Sequence, residues 1–163
     1  MRAQILLGDY AAPLDVRGFH RLQAARDGTC LASFYSGIPK RYPPLFESLC
    51  LTYSWEEAAL GEVEFAANPP ARDLAHLAAS IRYDSHLWSF LVPRGYLIFG
   101  RMAGGRYDPV AFNTNACKGH DAPVVRIDHE EILSFERLGH PLQLAPSFRA
   151  LLETAILGGG GAA

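Results

Sequence analysis

The residues best equipped for chemistry gather late in the chain: Asp121, Asp128, His129, Glu130, Glu131 and Glu136, with Asp108 brought near if its segment pairs as a hairpin. Carboxylates and an imidazole in a cleft can hold a divalent cation or move protons. The sequence therefore allows a small metal-dependent hydrolase using Asp128, His129 and Glu130, completed by Asp108 or His86. Against it stands the preceding run Pro123-Val124-Val125-Arg126-Ile127, whose β-branched residues predict a strand. If that strand runs on, side chains at 128 and 130 face opposite to those at 129 and 131, and the four cannot converge. The cluster then reads as an acidic strand end dissolving into a solvated turn.

Known catalytic templates fail one by one. His129-Glu130-Glu131-Ile132-Leu133 starts like a zinc-protease helix, but Leu133 stands where the second imidazole must be. Ser36, in Phe34-Tyr35-Ser36-Gly37-Ile38, lacks the first glycine of a nucleophile elbow, and no glycine-rich loop ends in Lys-Ser or Lys-Thr. Gly100 with Gly104-Gly105 follows a strand but opens no helix, so no dinucleotide site is expected. Cys30, Cys50 and Cys117 lie far apart without paired spacing, which predicts reduced thiols and no structural zinc. His20, His76, His86, His120 and His140 are dispersed. The expectation is a chain with no catalytic residue, no cofactor and no metal.

Periodicity and punctuation supply the elements that must position these residues. A helix is expected over 14–25 up to Asp27-Gly28, and another opens at Pro43-Pro44 with Leu45, Phe46, Leu49 and Cys50 on one face. Gly61-Glu62-Val63-Glu64-Phe65 alternates as a strand. Asp73 should cap a helix beginning at Leu74, with a second short helix over 85–91. Tyr96-Leu97-Ile98-Phe99, Val110-Ala111-Phe112 and Pro123–Ile127 read as three neighbouring strands of one sheet. Residues 146–157 close the chain as an amphipathic helix with Phe148, Leu151, Leu152 and Ile156 as its buried stripe. Helices around a run of strands define an α+β domain over 1–157, followed by a flexible glycine-rich tail at 158–163. Most aromatics of two crowded regions, Tyr35 to Trp55 and Trp88 to Phe99, should be core.

With 163 residues, one domain is the default. Lys plus Arg is 15 and Asp plus Glu is 17, a net charge of −2, and no basic stripe recruits nucleic acid. Ile5-Leu6-Leu7 is too short for a signal-peptide core, and no apolar stretch reaches the roughly eighteen residues of a membrane span. These features predict a cytoplasmic protein.

Across residues 93–153 the order of the pieces resembles the SUKH superfamily. The pieces are Gly95-Tyr96-Leu97-Ile98-Phe99-Gly100-Arg101, the turn Gly104-Gly105, Val110-Ala111-Phe112-Asn113, Pro123-Val124-Val125-Arg126-Ile127-Asp128-His129-Glu130, and Leu144-Ala145-Pro146-Ser147-Phe148-Arg149-Ala150-Leu151-Leu152. Upstream, Ile38-Pro39 and Tyr42 precede a helix, but Leu51-Thr52-Tyr53-Ser54-Trp55 replaces the family's amide-glycine turn. Arg106 follows Gly105, and the family's aspartate is displaced to Asp108. The superfamily contains fungal regulators of cell-wall assembly and bacterial immunity proteins that neutralise toxins. The resemblance implies an α+β fold with a mixed or antiparallel central sheet, and a protein-binding role without catalysis. The expected partner is another protein, a cognate toxin domain in the immunity reading; a regulatory scaffold without a toxin partner is the alternative. The expected contact surface joins the loop of Arg101, Arg106, Tyr107 and Asp108 to the acidic strand end at Asp128, Glu130 and Glu131, which would offer negative charge to a basic partner.

Overall fold

The computed structural model describes Leu7 and residues 10–158. Its first segment runs through α1 (Ala11–Asp15), β1 (His20–Arg21), α2 (Cys30–Phe34), α3 (Pro44–Thr52) and β2 (Tyr53–Ser54). The hairpin β3 (Ala59–Leu60) and β4 (Val63–Phe65) follows, then α4 (Ala75–Ile81) and α5 (Ser85–Leu91). Next come β5 (Tyr96–Met102), β6 (Pro109–Asn113), β7 (Val124–Arg126), α6 (His129–Phe135), β8 (Leu142–Ala145) and α7 (Phe148–Gly158). Strands β3 to β8 form one six-stranded antiparallel sheet in sequential order, while β1 pairs with β2 alone. This is an α+β domain, and the three strands read from the sequence are its adjacent members β5, β6 and β7.

One face of the sheet carries a phenylalanine core. Alternation sends Phe65, Phe99 and Phe112 to that face, where Phe46 of α3 and Phe148 of α7 pack onto them. Phe99 and Phe112 stack with ring centroids 4.3 Å apart. Pro44 at the first turn of α3 and Glu47 just after it suit a helix N-terminus, and Leu45, Phe46, Leu49 and Cys50 form its buried face. In α7, Phe148, Leu151 and Leu152 are buried as expected, whereas Ile156 is only partly covered where it packs against the edge of the core.

Three expectations are corrected. The helix foreseen over 14–25 stops at Asp15: Gly18 adopts φ 93°, Phe19 turns inward against Trp55, and His20–Arg21 pairs with β2. The second correction concerns Asp128, Glu130 and Glu131, which are not a strand end. Asp128 caps α6, its carboxylate accepting from the Glu130 backbone N–H at 2.9 Å, and Glu130 and Glu131 occupy the first helical turn. Third, Asp121 serves no cluster: its carboxylate accepts from the N–H groups of Phe148 and Arg149 and so caps α7 from a distance. Of the tail expected at 158–163, residues 159–163 lie outside the described residues.

Gly100 is the tightest point of the sheet. A β-bulge falls between Ile98 and Gly100, and a Cβ at position 100 would stand 2.4 Å from the carbonyl oxygen of Glu64 on the neighbouring strand. That oxygen belongs to the ladder and cannot swing aside. Gly100→Ala is expected to lower the unfolding free energy by about 1 to 3 kcal/mol, the usual cost of forcing added atoms into a packed site. Urea unfolding measures it, and an unchanged midpoint would show that β4 and β5 can part locally.

Candidate functional site

The sheet's other face is covered by α4, α5 and α6 only in part. Between them, over β4 and β5, lies a groove of about 740 Å³. Its floor follows from register: Glu64 and Arg101 are cross-strand partners, paired at 3.1 Å, and Ile98 and Gly100 lie beside them. The rim is apolar and unusually open, with Tyr83 91% exposed after α4, Tyr107 72% exposed before β6, and Leu133 49% exposed on α6. Large apolar side chains in such positions mark contact surfaces more often than scattered exposure does. Glu56, Glu57 and Asp84 complete the lining.

At one end of the groove a polar assembly holds α6 against the β5–β6 hairpin. Asp108 is 7% exposed. Its Oδ2 accepts from Arg126 Nε at 2.7 Å, and its Oδ1 lies 2.7 Å from His129 Nδ1 and 3.2 Å from the His129 backbone N–H. Burial pushes the Asp108 pKa up, but the side-chain and backbone bonds from His129 and the Arg126 guanidinium outweigh it and hold the carboxyl below its ordinary range. As an ionised carboxylate, Asp108 only accepts, so His129 Nδ1 donates to it and the Nε2 edge is left free in the half-buried ring that lines the groove. The Tyr107 ring meets the imidazole edge-on, with centroids 6.1 Å apart.

Arg101, Tyr107 and Asp108 thus come together as the sequence suggests, with Asp108 beneath the surface rather than on it. Arg106 is exposed in the same loop but outside the groove lining. Glu130 points to solvent, and Glu131 is paired with Arg137, whose guanidinium draws its carboxyl pKa down. His129, Tyr83 and Leu133 are the contributions the contact-surface expectation lacked. His129 and Leu133 are four residues apart and lie one turn apart on one face of α6, a proximity lost when the segment is read as a strand, which would hold them about 13 Å apart.

Among the described residues, Asp108, Asp128 and His129 are brought close enough to share a cation, their ligand atoms all within 4.8 Å of one another. Glu130 and His86, named for that role from the sequence, do not join them. Each carboxylate of the trio already has work: Asp128 caps α6, and Asp108 neutralises Arg126, whose positive charge would oppose a metal ion. The arrangement is that of a helix anchored to a hairpin. Cys30, Cys50 and Cys117 are all free thiols, and none lines the groove.

Asp108→Asn is expected to lower stability by about 2 to 3 kcal/mol at neutral pH, since it removes the negative charge and turns an NH2 donor toward either Arg126 or His129, leaving one amide oxygen where two carboxylate oxygens accepted. Solvent access to Arg126 keeps the loss below that of a fully buried pair. Because the folded pKa of Asp108 is depressed, its contribution is present above the unfolded value of about 4 and vanishes as pH falls through the folded one. Unfolding curves of wild type and variant should therefore converge in acid; a constant offset at every pH would contradict this.

Fold and site together define a small α+β domain with an open, apolar-rimmed groove on its sheet. Comparison with known proteins finds no family model that matches this chain and no curated protein that matches it. No helix among the described residues is long and apolar enough to cross a membrane.

Proposed function

We propose that this chain is a non-enzymatic protein-binding domain that seats a partner in the groove over β4 and β5. The resemblance of residues 93–153 to the SUKH superfamily extends the proposal to an immunity protein that neutralises a cognate toxin in the cytoplasm. The observation that carries the binding role is the exposure of Tyr83, Tyr107 and Leu133 around one groove. Rigid aromatics supply contact area at low entropic cost, and such residues dominate binding energy where they cluster. Supporting the absence of catalysis, the one imidazole facing the groove has no hydroxyl or thiol hydrogen-bonded to it among the described residues. The cation-sharing trio is the single observation favouring a metal-dependent hydrolase, and its prior engagements weigh against that reading.

Co-purification with the product of the adjacent gene tests the role. Tyr107→Ser combined with Leu133→Ser should weaken capture by at least about tenfold, since a few large side chains that bury against a partner carry most of the binding energy. Both side chains are exposed, so the fold should survive. Glu130→Lys with Glu131→Lys, placed off the groove, should matter less. Undiminished capture by the Tyr107 and Leu133 double variant would sink the groove as the contact surface.

A further inference from the structure

We infer that the groove over β4 and β5 selects a cationic segment, a stretch of another protein bearing lysine or arginine beside apolar residues. The inference rests on the binding role proposed above and concerns which chemistry the groove accepts. Four carboxylates line it, Glu56, Glu57, Glu64 and Asp84, against one permanent cation, Arg101. Arg101 and Glu64 pair with each other at 3.1 Å, which leaves Glu56, Glu57 and Asp84 as the carboxylates offered to a ligand. Glu56 and Glu57 are exposed and have no ion-pair partner among the described residues. Asp84 uses one oxygen to cap α5 through the Leu87 N–H, and its second is free of any hydrogen bond there.

Hydrogen-bond polarity points the same way. The imidazole on the groove, His129, has its Nδ1 engaged by the Asp108 carboxylate at 2.7 Å. Glu56, Glu57 and Asp84 are carboxylates, which only accept when ionised, so donors must come from the ligand. Lysine and arginine carry donors together with a positive charge, and their aliphatic stems suit an apolar rim such as Tyr107 and Leu133 while the charged head reaches a carboxylate. Exposed tyrosine faces add a cation–π site for the same head group. A nucleic-acid or other anionic ligand would meet like charge at the rim.

Panning a phage-displayed library of random peptides on the full chain, then measuring the selected peptides by fluorescence anisotropy, tests this. The expected winners are rich in lysine or arginine next to aromatic or branched residues. Their affinity should fall by at least about tenfold in the variant Glu56→Gln, Glu57→Gln, Asp84→Asn and fall steeply with added salt. Asparagine at position 84 keeps the α5 cap, so that variant should fold normally. Winners that lose binding with Tyr107→Ser and Leu133→Ser but carry no cationic residue, or ignore the neutralised variant, would overturn the cationic selection and leave the groove as a binding surface. A library yielding no peptide that depends on Tyr107 and Leu133 would overturn both.

Discussion

Phe148→Ala should lower the unfolding free energy by about 3 to 5 kcal/mol, the range for removing a buried phenylalanine ring. Phe148 is fully buried and touches four other phenylalanines, with ring centroids 5.7 Å from both Phe46 and Phe112 and 6.3 Å from both Phe65 and Phe99. Two terms add. Burial of the ring is forfeited, and the rings around the vacated space belong to four different elements, so the cavity closes poorly. Because the whole domain is expected to hold only about 5 to 15 kcal/mol, the variant would stand near the edge of stability. Chemical unfolding gives the value. A change below about 1 kcal/mol would mean that α7 contributes nothing to the core, against the position of its first turn on the sheet.

Arg26→Ala is expected to cost a comparable amount, about 3 to 5 kcal/mol, for a different reason. Arg26 is 6% exposed and has no carboxylate on it among the described residues. Its guanidinium instead donates to four carbonyl oxygens: Ala71 from Nε at 2.8 Å, Pro69 from Nη2 at 2.8 Å, and Cys50 and Tyr53 from Nη1 at 2.6 and 3.1 Å. Burial alone draws its pKa down, but the carbonyls act as the counter-charge, and Cys50 lies near the negative C-terminal end of α3. Truncation leaves those carbonyls to the buried Asn68 amide, which already serves Cys50 and Tyr53 at 3.2 Å each. Arg26→Lys should recover less than half of the loss, because an ammonium cannot span the same fan of acceptors. Equal stability of the alanine and wild-type proteins in urea would show that water replaces the guanidinium without cost.

Strand identity was legible because β5, β6 and β7 combine β-branched or aromatic residues with glycine and proline at their ends, and neighbours in sequence pair most readily. Helix α3 was legible from a proline pair, and α5 was read over 85–91, the bounds it has. The start of α6 was legible in principle: Asp128 followed by Glu131 has the spacing of a capping box, a signal outweighed by the β-branched run before it. Misreading that boundary held His129 and Leu133 about 13 Å apart along a strand, whereas one turn of helix brings them together at the groove. Arg26 gave no signal of its importance, since its four acceptors lie 24 to 45 residues away in the chain.

By itself the sequence determined the α+β class, the sheet-forming order of the central strands and the apolar stripe that opens α7, all consequences of periodicity within a few residues of chain. Tertiary structure alone decided which charges are spent and which are offered. Arg101 faces Glu64, Asp108 is buried beneath Arg126 and His129, Asp121 caps a helix far along the chain, and Glu56, Glu57 and Asp84 share a rim with Tyr83 and Tyr107. The physical reason is that burial and pairing depend on distances between segments, and a side chain's type states what it can bond to but not what the fold brings within reach.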